Sequence, residues 1–146
     1  MKNSNYIALE FLTKSVNESF ARTAVACFAA QMDPTLDELG DIKTSVSEAV
    51  TNAIVHAYPD TLGKVSLRVQ ILDGNVLEIV VRDWGQGITD VNKAREPMYT
   101  TGGDERSGMG FTIMEGFMDS LTVRSVPGKG TRVTMRKRIL PRPNVR

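Results

Sequence analysis

Apolar and polar positions along the chain alternate in short blocks that predict a mixture of strands and helices. Residues 5–12 alternate loosely and read as a strand suited to a sheet edge. Ser15 followed by Glu18 has the spacing of a capping box and opens a predicted helix over 16–32, with Phe20, Ala24, Cys27 and Phe28 on one side. Asp33-Pro34 ends it. Thr35 and Glu38 form a second capping box, and the helical spacing of Leu36, Leu39, Ile42, Val46, Val50, Ala53 and Ile54 carries a longer helix to about His56. Strict alternation over 65–72, a turn at Asp73-Gly74-Asn75 and an almost wholly apolar run over 76–82 predict a hairpin whose second strand is central. Residues 84–106 are rich in Gly, Thr and charge with little periodicity beyond a short helix near 89–95, the signature of a functional lid. A helix over 111–118 and a last hairpin, 121–126 and 131–139 about Pro127-Gly-Lys-Gly130, complete the chain.

The predicted class is α+β: a two-layer sandwich with a mixed, mainly antiparallel sheet and three helices on one face. The alternation of a parallel βαβ fold is absent, as is a G-x-x-x-x-G-K-[ST] phosphate loop. One domain over 1–146 is expected, with its core at about 5–139 and a basic tail at 140–146.

Composition narrows the class further. With 146 residues, 41% apolar and 24% charged, the chain is of ordinary globular make-up. No apolar run approaches the ~20 residues of a membrane span, and no apolar leader follows Met1, so a cytoplasmic protein without a membrane partner is expected. The net charge of +1 gives no global footprint for direct nucleic-acid binding. Arg132, Arg136, Lys137, Arg138, Arg142 and Arg146 gather near the C-terminus and read as a solvated strand edge with a frayed tail rather than a site for an acidic partner. Cys27 is the only cysteine, which excludes an intrachain disulfide, and its apolar context predicts a buried thiol.

Candidate chemistry lies in four short strings. Glu48 and Asn52 stand one turn apart, about 40° around the helix, so both can face one ligand. An Asn carbonyl oxygen suits Mg²⁺, which is held by few protein groups plus phosphates and water, and a Glu one turn earlier can polarise an attacking hydroxyl. Asp83 ends the apolar strand and is followed by Gly85 and Gly87. A carboxylate there can accept a hydrogen bond from the exocyclic amine of adenine, and glycines let backbone approach a flat base. Gly108-Met109-Gly110 opens a helix whose N-terminus can face phosphates, with Arg106 just before it. Gly128-Lys-Gly130 is a hairpin turn whose Thr131 can line a base pocket. His56, the only histidine, sits near a helix end, where a cation or a packing role is favourable. Each string alone is common in proteins; the combination is not.

In that combination the chain resembles the GHKL (Bergerat-fold) ATPases, and within them the small anti-sigma factor serine/threonine-protein kinases of the sporulation type. The likeness extends over about residues 5–139 and is densest at 17–22, 47–54 and 106–115. It implies binding of ATP or ADP with Mg²⁺, with Asn52 on the metal, Asp83 on adenine, Arg106 near the γ-phosphate and Glu48 as catalytic base. It brings Gly85, Gly87, Thr100, Thr101, Ser107, Gly108, Met109, Gly110 and Thr131 into the nucleotide shell. It further implies a homodimer that holds a sigma factor inactive and phosphorylates a serine of an anti-anti-sigma factor. A non-catalytic ATP-dependent sigma-binding module and a histidine-kinase-like catalytic domain are the alternatives. Glu18 and Arg22, one turn apart, are candidate partner contacts. Gly102-Gly103 and Trp84 depart from the family pattern. Trp84 is expected within the adenine loop.

Overall fold

The longest helix, α2 (Leu36–Asn52), sets the position of everything else. Its start is fixed by the predicted capping box: the Glu38 amide donates to Thr35 Oγ1 at 3.0 Å and the Thr35 amide donates to Glu38 Oε1 at 2.8 Å. Ile42, Val46, Ala49 and Val50 form its buried stripe. Beyond Asn52 the helix continues for one wider turn of π-helix, Ala53–Ala57, instead of ending as regular α-helix near His56. The computed structural model describes residues 2–96 and 109–140. Thr100, Thr101, Arg106, Ser107, Gly108 and the Gly102-Gly103 pair lie outside the described residues.

Five strands follow the predicted blocks: β1 (Asn3–Leu12), β2 (Lys64–Leu72), β3 (Val76–Asp83), β4 (Ser120–Val126) and β5 (Gly130–Arg138). They form one sheet in the order β1-β2-β3-β5-β4. All four pairings are antiparallel, so the sheet is not mixed. β3 is central, as its apolar run predicts. β5 is interior as well, which overturns its reading as an edge; the edges are β1 and β4. Alternate residues of β2, β3 and β5 (Val65, Leu67, Val69; Ile79, Val81; Val133, Met135) are buried in one core with α1 (Val16–Ala29), α2 and α4 (Gly110–Phe117). A short α3 (Val91–Ala94) follows β3.

α1 corrects three expectations. Its buried residues are Ala21, Val25, Phe28 and Ala29, so the inward face is turned from the one predicted. Phe20 is 58% exposed, and the Cys27 thiol is exposed rather than buried. Ser15 makes no side-chain cap, and Glu18 instead pairs with Arg22 at 3.5 Å.

The sheet's other face is polar. Arg82, Arg132 and Arg124 lie abreast on β3, β5 and β4. Glu78 on that face is buried and held by Gln70 Nε2 at 2.6 Å and by Arg136 Nε at 2.8 Å. Among the described residues no helix is long and apolar enough to cross a membrane.

Leu67, on β2, is wholly buried in the core. Leu67→Ala is expected to lower stability by about 2–5 kcal/mol. The effect should appear as a lower urea midpoint with an unchanged slope.

Candidate nucleotide site

The buried side of β3 and β5 and the second half of α2 enclose a cavity of about 470 Å³, within the ordinary range for a small-molecule site. Asn52, Ala53, His56 and Ala57 line it from the helix side, Asp83 and Thr131 from the sheet. Gly87, Thr89 and Lys93 close it from the segment after β3, and Phe111 from α4.

Asp83 is the one acid on the sheet side of this cavity and is 8% exposed. Its Oδ1 accepts from the Gly85 amide at 3.0 Å and the Thr131 amide at 3.3 Å. Both bonds fall on one oxygen and leave Oδ2 for the cavity. Burial pushes the Asp83 carboxyl above the usual carboxylate range, against the pull of those two amides. An acceptor oxygen beside the Thr131 hydroxyl, in a pocket walled by Val81, Val133 and Phe111, suits a flat ring with a donor group on its edge.

The segment after β3 is held by close backbone contact. The Gln86 amide donates to the Ala57 carbonyl at 2.8 Å, and Gln86 Nε2 donates to the His56 carbonyl at 2.6 Å. A Cβ on Gly85 would stand 2.1 Å from the Ala57 carbonyl oxygen, so only glycine permits the contact. Gly87 has φ +75°, a left-handed conformation, and its Cα faces the Val126 carbonyl of β4.

α4 reaches the other end of the site. A Cβ on Gly110 would stand 3.1 Å from Asn52 Nδ2 and 3.3 Å from Glu48 Oε2. The first residue of α4 therefore sits against both polar residues of α2, and Met109 is its N-cap. The two strings that were separate in sequence meet here. Asn52 lines the cavity, while Glu48 stands one turn back, half-buried and outside the lining.

Several residues escape sequence reading. His56, Gln86, Thr89, Asp90 and Lys93 all line the cavity. The helical spacing from Asn52 to His56 was a usable signal; nothing in sequence marked Lys93. Trp84 belongs to the loop after β3, but its ring lies outside the cavity lining, with Lys64 Nζ 4.3 Å and the Arg82 guanidinium 4.7 Å from its centre. Trp84 thus keeps its expected place in the loop while its side chain turns from the cavity: Asp83 points inward, and the next side chain stacks with cations of the polar face. Glu18 and Arg22 lie apart from the cavity, in a groove between α1 and α2 lined also by Lys43, Thr44 and Ser47.

Residues 12–137 match the family described as histidine kinase-like ATPase domain. This chain belongs to that family. The chain is 58% identical to the anti-sigma F factor of Caldanaerobacter subterraneus subsp. tengcongensis over 140 residues, 95% of this chain and 97% of that protein. It is 56% identical to the anti-sigma F factor of Clostridium botulinum (strain Eklund 17B / Type B), over 92% of this chain and 94% of that protein. The same fold recurs in a structure of the RsbU and RsbW domains of a Mycobacterium tuberculosis protein. There the TM-score is 0.71 at 17% identity, over 96% of this chain and 34% of that one. A blue-light activated histidine kinase of Erythrobacter litoralis matches with a TM-score of 0.59 at 31% identity, over 73% of this chain and 32% of that one. A histidine kinase-like ATPase domain implies nucleotide binding.

The raised Asp83 pKa has a definite stability consequence. The unfolded chain releases this proton at a lower pH than the folded one, so between the two values the folded state holds more protons and its stability falls as pH rises. Asp83→Asn keeps an Oδ1 for the Gly85 and Thr131 amides and removes the titration. Without nucleotide, the variant is expected to gain stability relative to the unsubstituted chain above the raised pKa. The gain should vanish as pH falls to the ordinary Asp range, read as the difference between paired urea melts across pH.

Proposed function

We propose that this chain is an anti-sigma factor and an ATP-dependent protein-serine kinase. It would hold a sigma factor of the sporulation type and phosphorylate a serine of an anti-anti-sigma factor. The reading takes the chain as one domain, acting as a homodimer in the cytoplasm. The anti-sigma part rests on near full-length relatives at 54–58% identity that carry the name anti-sigma F factor. One observation carries the kinase part: Gly110 at the start of α4 abuts both Asn52 and Glu48, beside a cavity whose far side presents Asp83.

In this reading Asp83 Oδ2 accepts from the adenine amine and Thr131 flanks it. The residues present suit Mg²⁺-ATP. Among the described residues no group of three or more His, Cys, Asp or Glu could hold a metal, and Mg²⁺ needs no such cage when phosphate oxygens and water complete its shell. Asn52 would supply the protein oxygen. When bound, Mg²⁺ neutralises charge on the phosphates. The N-terminal amides of α4, from Gly110 onward, direct their dipole toward the phosphate end. Glu48 then accepts the proton of the incoming serine hydroxyl, which places that hydroxyl in line for transfer. Thr100, Thr101, Arg106, Ser107 and Gly108 belong to the same proposed shell, with Arg106 at the γ-phosphate. Glu18 and Arg22, in their groove on the α1–α2 side, are the proposed partner contacts.

Transfer of labelled phosphate from ATP to a serine of an anti-anti-sigma domain tests the reading. Glu48→Gln is expected to slow transfer about 10²–10⁴-fold while ADP affinity stays within a few-fold. Unchanged transfer would remove Glu48 as base, and transfer undetectable in the unsubstituted chain would leave an ATP-dependent binding module. Asn52→Ala is expected to weaken nucleotide binding with Mg²⁺ present more than without it, by calorimetry in each condition.

A further inference from the structure

Ser125 lies on β4, behind the cavity wall, and sequence gives no reason to notice it. Its hydroxyl has three partners. The Ile88 amide is 2.7 Å away, the Gly130 carbonyl oxygen 3.0 Å and the Thr131 hydroxyl 2.8 Å. A serine hydroxyl owns one proton and two acceptor lone pairs. The Ile88 amide can only donate, so it takes one lone pair. The Gly130 carbonyl can only accept, so it takes the proton. The remaining lone pair faces Thr131, which can meet it only by donating its own proton. The reverse assignment would leave the Ser125 and Gly130 oxygens 3.0 Å apart with no proton between them.

The consequence falls on Thr131, which lines the cavity. With its proton committed to Ser125, its hydroxyl offers the cavity lone pairs alone. Asp83 beside it is also an acceptor there, since its Oδ1 is engaged by the Gly85 and Thr131 amides.

We infer that Ser125 is a positioning residue for nucleotide specificity: by fixing the Thr131 proton it makes the sheet side of the cavity a two-acceptor edge that selects a purine bearing an exocyclic amine over one bearing a 6-oxo group. This rests on the adenine-nucleotide reading given above. Facing position 6 of the base, such an edge takes both hydrogens of an amine, whereas a 6-oxo oxygen there meets lone pairs and leaves only the neighbouring ring N1–H to donate. Ser125 touches no ligand itself and acts through Thr131. By accepting from Ile88 it also ties the segment after β3 to the β4–β5 hairpin, so a purely structural role is the competing explanation.

The two roles separate in a comparison of ADP with IDP, whose base carries oxygen in place of the 6-amine and a hydrogen on N1. Affinities for both are measured by calorimetry with Mg²⁺ on the full chain, for the unsubstituted protein, Ser125→Ala and Ser125→Thr, each with a thermal melt. In Ser125→Ala the Thr131 hydroxyl is free to turn its proton into the cavity. The preference for ADP over IDP should fall about tenfold, and Ser125→Thr should restore it. Should the alanine variant not fold, Ser125→Cys, whose thiol is a weak acceptor, carries the same expectation. Equal loss of affinity for both nucleotides, or an unchanged preference, overturns the inference. Failure of the adenine reading looks different: the unsubstituted chain would then show no preference for ADP over IDP, and the inference would fall with it.

Discussion

A carboxylate buried at the end of the central strand constrains much of this molecule. Asp83 terminates an apolar strand and is tolerated inside because two backbone amides point at one of its oxygens. Those amides come from different places, the turn just after β3 and the start of β5. The need to satisfy one charge therefore fixes how the turn folds back and where the β4–β5 hairpin begins. The turn is in turn clasped from both sides: Gln86 bonds the end of the long helix, and the Gly128 amide donates to the Gln86 carbonyl at 2.7 Å. The cavity is the space left inside this arrangement.

At the opposite end of the cavity the close approach of α4 to α2 sets the geometry. α4 arrives with a residue that lacks a side chain, and that absence lets its backbone rest against Asn52 and Glu48. Close approach through glycine thus shapes both ends, and at the Asp83 end polar satisfaction adds to it. Neither end is a local property of its own segment: α2 contributes Asn52 to one end, and the π turn that continues it contributes the carbonyls of His56 and Ala57 to the other.

Periodicity made the strands, the central place of β3 and the start of α2 legible, because those features depend on burial patterns and caps within a few residues. The inward face of α1 is hard to read because three of its four buried residues are small, Ala21, Val25 and Ala29 beside Phe28, while the bulky Phe20 faces out. The expected burial of Cys27 fell with that face. Asp83, Asn52 and Glu48 could be singled out because their spacing is itself the chemistry. Gln86 and Ser125 could not, since each acts through contacts with chain far away in sequence. The basic run near the C-terminus read as an edge because charge marks exposure, and β5 is exposed on one face while interior in its sheet.

The π turn at Ala53–Ala57 has a further implication. A π turn holds one residue more than regular winding requires. Deleting that residue would restore an α-helix and rotate all that follows by about 100° while shortening it by about 1.5 Å. The carbonyls of His56 and Ala57 would then swing away from Gln86. The number of residues between Asn52 and the loop after β3 is thus a dimension of the binding chamber. In this stretch the fold should accept very few changes of length.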